Sequence, residues 1–256
     1  WPDIYIANDF QAKDLYYINN GNGTFSEKSR ELLPHVSYFA MGNDAADINN
    51  DGNLDLFVVE MLAQDNKRQK TNMASMNPEL FWTMVAVGEH YQYMRNTMHL
   101  NNGDGSFSDI AYLSGLAETD WSWAPLIADY DHDGHKDIAV ANGYLNDVQD
   151  KDLRIQVKKK KGSLQTYDDL LAITKSTRIQ NYIYKNEGDF QFSNQSKDWG
   201  FDFAGYSNGM AYGDLDNDGD LDLVVNNFND PASVYRNTIS DRKVGHYLMV
   251  DLIGPA

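Results

Sequence analysis

The stretch Asp214-Leu215-Asp216-Asn217-Asp218-Gly219-Asp220-Leu221-Asp222, followed at once by Leu223-Val224-Val225, decides how this chain is read. Acids recur at alternate positions, a glycine interrupts them, a last acid closes the set, and an apolar run with strand character follows. Two further segments align with it without gaps. They are Asp47-Ile48-Asn49-Asn50-Asp51-Gly52-Asn53-Leu54-Asp55 and Asp129-Tyr130-Asp131-His132-Asp133-Gly134-His135-Lys136-Asp137. The shared pattern is D-x-[DN]-x-D-G-x-x-D. It is an internal repeat, and a repeat of this kind sets an architecture before any other feature does.

The chemistry of the loop is that of a hard cation. Calcium takes six to eight oxygen ligands in flexible geometry. Side chains at positions 1, 3, 5 and 9 and the carbonyl at position 7 can wrap one ion, and the glycine at position 6 permits the sharp turn. The expected ligands are Asp47, Asn49, Asp51, Asn53 and Asp55 in the first loop and Asp129, Asp131, Asp133, His135 and Asp137 in the second. In the third they are Asp214, Asp216, Asp218, Asp220 and Asp222, with Asn53, His135 and Asp220 contributing backbone carbonyls. Three calcium sites are therefore expected. Crowded carboxylates without an ion repel one another, which counts against a purely structural role. The EF-hand shares the opening D-x-D-x-D-G but needs a bidentate acid at position 12. Here that position holds Val58, Val140 and Val225, so the EF-hand is rejected. Magnesium prefers strict octahedra with retained waters and fits less well. His132 falls between ligand positions and reads as solvent-facing.

A second repeated element fixes the register. Asn19-Asn20-Gly21-Asn22-Gly23-Thr24-Phe25 matches Asn101-Asn102-Gly103-Asp104-Gly105-Ser106-Phe107, and Lys185-Asn186-Glu187-Gly188-Asp189-Phe190 is a looser copy. Asn and Gly tolerate positive φ, so these read as tight hairpin turns. Each unit becomes strand, Asp loop, strand, strand, Gly turn, strand, which is one four-stranded antiparallel sheet. A fourth copy is cut: Trp1-Pro2-Asp3-Ile4-Tyr5-Ile6-Ala7-Asn8 matches residues 135–142, so Asp3 stands at the last ligand position without its co-ligands and no ion is expected there. That start also reads as a processing boundary.

The closing acids fall at 3, 55, 137 and 222. The later spacings leave room for insertions over about 62–97 and 145–180. Asn77-Pro78-Glu79 opens a helix, with a cap residue, a first-turn Pro and an acid at the positive end of the dipole. Leu80, Met84, Val87, Tyr91 and Met94 continue it at three-four spacing. In the second insertion Thr166-Tyr167-Asp168-Asp169-Leu170-Leu171 reads as a capped helix, and Lys158 to Lys161 as a solvated tip.

Composition agrees. The 256 residues are 42% apolar, enough for a buried core, and include no cysteine, which excludes disulfides and thiolate metal sites. No apolar run of about 18 residues exists to span a membrane. The formal charge is −17. It disfavours nucleic acid and anionic membranes. Eleven of the 38 acids stand at positions 1, 3, 5 and 9 of the three loops, so part of that charge is a metal-binding inventory.

With their flanks, the loops resemble FG-GAP/VCBS-type calcium repeats of integrin-like β-propellers and bacterial surface proteins. "WPDIYIAND" and "GMAYGDLDNDGDLDLVVNN" resemble the bacterial kind that carries a C-terminal ASPIC/UnbV domain, and residues 245–254 resemble the opening strand of that domain. The resemblance implies an all-β fold with helical insertions: a β-propeller fragment of about three and a half to four four-stranded blades over residues 1–244, then a truncated ASPIC/UnbV-like domain or closing strand over 245–256. It also implies export to the periplasm, outer membrane or medium. The expected function is a calcium-binding adhesion or scaffold module for a glycan or protein, with end blades that self-associate or pack against further blades. The sequence holds no G-x-S-x-G elbow, P-loop, H-E-x-x-H or Rossmann fingerprint. The second reading is a polysaccharide lyase or related carbohydrate-active enzyme, with His90, Tyr91, Tyr93 and His99 as candidate residues.

Overall fold

The computed structural model describes residues 1–256 except 11, 73–75, 161–165, 243–246, 249, 251–253 and 255–256. Four main antiparallel sheets follow one another along the chain. The first is built from Ile4–Ile6, Leu15–Asn19 and Phe25–Glu27, and the second from Gly42–Ala46, Asp55–Val59, Thr97–Asn101 and Phe107–Asp109. The third comprises Ser122–Ala128, Asp137–Asn142, Tyr182–Asn186 and Phe192–Asn194, and the fourth Ser207–Gly213, Asp222–Asn227 and Ser233–Tyr235. Strands lie in chain order within each sheet, as a meander does. The second and third sheets have the four strands expected of a unit; among the described residues the first and fourth have three.

Each Asp loop joins the first two strands of a sheet and is closed at its base by a cross-strand pair. These pairs are Ala46 with Asp55, Ala128 with Asp137, and Gly213 with Asp222. The opening strands of neighbouring sheets lie against each other. Ile127 N donates to Asp44 Oδ2 at 2.8 Å across the second and third. A Cβ on Gly42 would sit 2.2 Å from the Trp123 carbonyl, so only glycine allows that approach.

Strand alternation explains why the second strands are apolar throughout. Phe57 and Val59 face the third sheet and meet Ile127, Ile138 and Val140, while Leu56 and Val58 face the first and meet Tyr5. In the third sheet Ile138 and Val140 point back to the second, and Ala139 and Ile183 point on to Leu223 and Val225 of the fourth. A strand buried on both faces reads as a continuous apolar run, which is the pattern after each loop. Among the described residues the outermost faces have no such neighbour: Ile4 and Ile6 of the first sheet and Val234 of the fourth are 43%, 40% and 65% exposed.

The insertions are helical. Asn77 caps helix Pro78–Ala86, accepting from Glu79 N at 3.0 Å and Leu80 N at 3.2 Å. The periodicity overshoots the element: the helix stops before Val87, Gly88 takes φ +103°, and Tyr91 and Met94 lie beyond it. Tyr93 instead sits in a short parallel pairing of Gln92–Tyr93 with Val36–Ser37. A further helix, Asn66–Asn72, precedes it in the same insertion and was not among the sequence expectations. Lys158 and Lys159 end helix Lys151–Lys159, where cations suit the negative end of the dipole; Lys161 lies outside the described residues. Thr166 and Asp169 form the capping box of helix Tyr167–Leu171. Most of residues 245–254 fall outside the described set. Among the described residues no helix is long and apolar enough to cross a membrane.

Candidate metal centre

The three loops have one backbone design. The first Asp accepts two amides: Asp47 from Asp51 N and Gly52 N, Asp129 from Asp133 N and Gly134 N, Asp214 from Asp218 N and Gly219 N, all between 2.8 and 3.2 Å. The fifth-position Asp accepts the amide of the seventh residue, at Asn53, His135 and Asp220. Two left-handed residues make this curl. Gly52, Gly134 and Gly219 take φ of +88°, +90° and +93°. The fourth positions, Asn50, His132 and Asn217, also lie near +60°. Asn adopts that conformation readily and His is enriched there, so His132 occupies the first of the two left-handed positions of its loop.

The closing acid is buried: Asp55, Asp137 and Asp222 are 0%, 0% and 2% exposed. One oxygen of each accepts from the second residue of its own loop, at Ile48 N, Tyr130 N and Leu215 N, 2.9 to 3.0 Å away. The other accepts from the backbone of Asn101 or Asn186, which end their third strands, or of Asn237, two residues past its third strand. Asn101 and Asn186 were expected only as turn residues, and Asn237 had no assigned role. Their side chains also bridge sheets: Asn186 Nδ2 donates to Ile48 O at 2.9 Å, and Asn237 Nδ2 to Tyr130 O at 2.7 Å.

The remaining oxygens converge. Asp129, Asp131 and Asp137 each offer an oxygen within 4.8 Å of the others, and so do Asp214, Asp216 and Asp218. Burial, then the charges of Asp131 and Asp133, pushes Asp137 up to about 7 despite the amides it accepts. Asp131 Oδ1 and Asp220 Oδ1 are buried without a hydrogen-bond partner. An orphaned carboxylate oxygen beside crowded acids is what a hard cation would satisfy, and every donor in the set is oxygen, so the residues fit calcium. In the first loop Asn49 Nδ2 donates to Asp51 Oδ2 at 2.9 Å, and Asp47, Asp51 and Asp55 supply the acids. Asp3, at the closing-acid position of the first sheet, is exposed; it accepts from Asn19 N at 2.8 Å and bonds the Tyr16 side chain.

Two basic residues stand against the loops, and neither was singled out from sequence. Lys185 Nζ bonds both Asp131 and Asp133. Arg236 reaches Asp216 at 2.7 Å, Asp218 at 3.3 Å and Asp241 at 3.2 Å.

A family model described as FG-GAP-like repeat matches residues 1–58, 77–140 and 166–225. The chain belongs to the FG-GAP-like repeat family. The repeats of this family are of β-propeller type, and the four sheets are its blades. The matched segments carry every Asp loop and skip the insertion helices Asn66–Asn72 and Lys151–Lys159. No curated protein sequence matches the chain. A solved structure of an Agrocybe aegerita lectin, described as recognising non-reducing terminal N-acetylglucosamine, aligns with 93% of this chain at 15% identity and a TM-score of 0.37. The alignment takes up 49% of that chain, so the present sequence spans about half its length. A likeness at this level carries no argument about ligand or blade number.

The candidate enzyme residues lie away from the loops, beyond the other ends of the strands or within them. His99 is fully buried, and burial, then His35, pulls its pKa down to about 3. His90 is buried between Leu33 O at 3.1 Å and Tyr91 N at 2.9 Å. Tyr91 and Tyr93 are exposed. Nearby, burial opposes the charge of Asp109, but His35 and Arg95 outweigh it and hold that carboxyl well below the usual range.

Proposed function

We propose that the chain is a calcium-stapled propeller module that binds or scaffolds a glycan or protein partner outside the cytoplasm. The observation that carries the metal half is the convergence of acids within the second loop and within the third, with Asp131 Oδ1 of the second left partnerless. Bound calcium would neutralise these carboxylates and tie the first two strands of each blade together. The Asp loops then serve the scaffold, and the partner surface falls to the opposite blade ends, where the inserted helices stand. Exposed aromatic rings there, including Trp82 on helix Pro78–Ala86 and Tyr167 on helix Tyr167–Leu171, suit a glycan or protein surface.

The reading takes residues 1–244 as the propeller segment, with insertions over 62–97 and 145–180, and includes the VCBS and ASPIC/UnbV likeness and export. The apolar outer faces of the end blades support self-association or packing on further blades. A glycan array probed with calcium and with EDTA tests the binding half, and light scattering over a concentration series tests association. Calcium-dependent retention of a defined glycan class supports the module. Appearance of unsaturated product from a polyuronide would favour the lyase reading instead.

A further inference from the structure

At the end of the third strand of each blade, just before the clamping asparagine, stands one residue at an equivalent position. Strand register makes the positions equivalent: Tyr184 pairs with Ile138 and Tyr235 with Leu223, as His99 pairs with Leu56 and Tyr17 with Ile4. The next residue is therefore Ile18, Leu100, Lys185 or Arg236 in turn. Only the second and third loops meet a cation there. These are also the two loops with acids at positions 1, 3, 5 and 9; in the blade of the first, where Asn49 replaces one acid, the equivalent position is Leu100.

The contacts fit the charges. The Lys185 ammonium grips the third- and fifth-position acids of its loop, and its side chain is only 21% exposed. Arg236 spans the same two positions in its own loop. Both hold acids that a metal ion would also need. One charge cannot neutralise four carboxylates, and Asp131 Oδ1 remains without a partner beside Lys185.

Resting on the calcium reading above, we propose that Lys185 and Arg236 are tethered counter-ions. They hold the second and third loops closed when calcium is scarce, and they compete with it for Asp131 and Asp133 and for Asp216 and Asp218. The two acid-rich loops are thereby detuned to weaker sites, and the first loop fills without competition. Arg236, 53% exposed, is screened more by solvent and competes less than Lys185.

The test is calcium calorimetry and melting in EDTA on chelator-stripped wild type, Lys185→Met, Arg236→Gln and the double variant. Each single variant is expected to tighten one calcium site, by about tenfold for Lys185→Met and less for Arg236→Gln, and to melt lower in EDTA. Leu100→Lys is the converse: it should weaken the first loop. Lys185→Arg, which keeps the charge, controls for folding and should bind like wild type. Calcium binding of wild-type affinity in Lys185→Met and Arg236→Gln would overturn the inference and leave the calcium reading standing. No calcium binding in any folded variant would overturn both.

Discussion

Asn186 donates its backbone N–H to Asp137 Oδ1 at 2.9 Å, joining the third strand of a blade to the last acid of its loop. The pair recurs as Asp55 with Asn101 and Asp222 with Asn237, each at 2.8 Å, and at the surface as Asp3 with Asn19. The Asn186 side chain adds bonds to Lys136 O and to Ile48 O of the preceding blade, and accepts from Gly188 N. Loop, hairpin and neighbouring blade therefore meet at one asparagine.

Removing that junction should be costly. Asn186→Ala leaves buried carbonyls without donors and is expected to lose about 1–3 kcal/mol of stability. Asn19→Ala, at the exposed copy, should lose less than about 1 kcal/mol. Urea midpoints at saturating calcium check this, and equal losses would contradict the burial argument.

The approach of the blades is tested at glycine. Gly42→Ala drives a Cβ into the Trp123 carbonyl and should destabilise by about 2 kcal/mol or more. A Cβ at Gly209 meets nothing within 4 Å, so Gly209→Ala should stay within about 1 kcal/mol of wild type. A tolerated Gly42→Ala would mean that the opening strands do not lie as described.

One buried acid should make stability fall with pH. Glu60 is fully buried at the place where the third and fourth blades carry Asn142 and Asn227. It accepts from Phe39 N at 3.1 Å and Met61 N at 2.7 Å. Burial, helped by the charges of Asp9 and Asp14, pushes its carboxyl up from 4.5 to about 8. The folded state then holds the proton more tightly than the unfolded chain. Its contribution is complete below about pH 4.5 and is lost as pH rises to about 8. Relative to Glu60→Gln, wild type should lose up to about 1.4 kcal/mol per pH unit across that window. Melting at fixed calcium against pH is the measurement, and parallel profiles would contradict it.

The sequence made the repeat legible because the loop, the strand after it and the Gly turn are local features with local causes. The Asn77 and Thr166 caps were legible for the same reason, though the first helix stops at the left-handed Gly88, short of its apolar periodicity. What stayed hidden depends on register across strands. Nothing near Lys185 in sequence announces that it will meet Asp131, 54 residues earlier. Asn186 looks like a turn residue until Asp137 is placed opposite it. The left-handed fourth loop position could have been suspected, since two of its three occupants, Asn50 and Asn217, are asparagine.

The most direct test of the calcium-stapled propeller is a melt of chelator-stripped protein with its metal content measured, before and after adding calcium or magnesium. The account predicts a lower melting temperature after stripping, recovery with calcium and weaker recovery with magnesium. Each independent site should add about 2.7 kcal/mol when calcium stands at about a hundred times its dissociation constant. An unchanged melting temperature, with metal loss confirmed and calcium restored to the solution, would contradict the account.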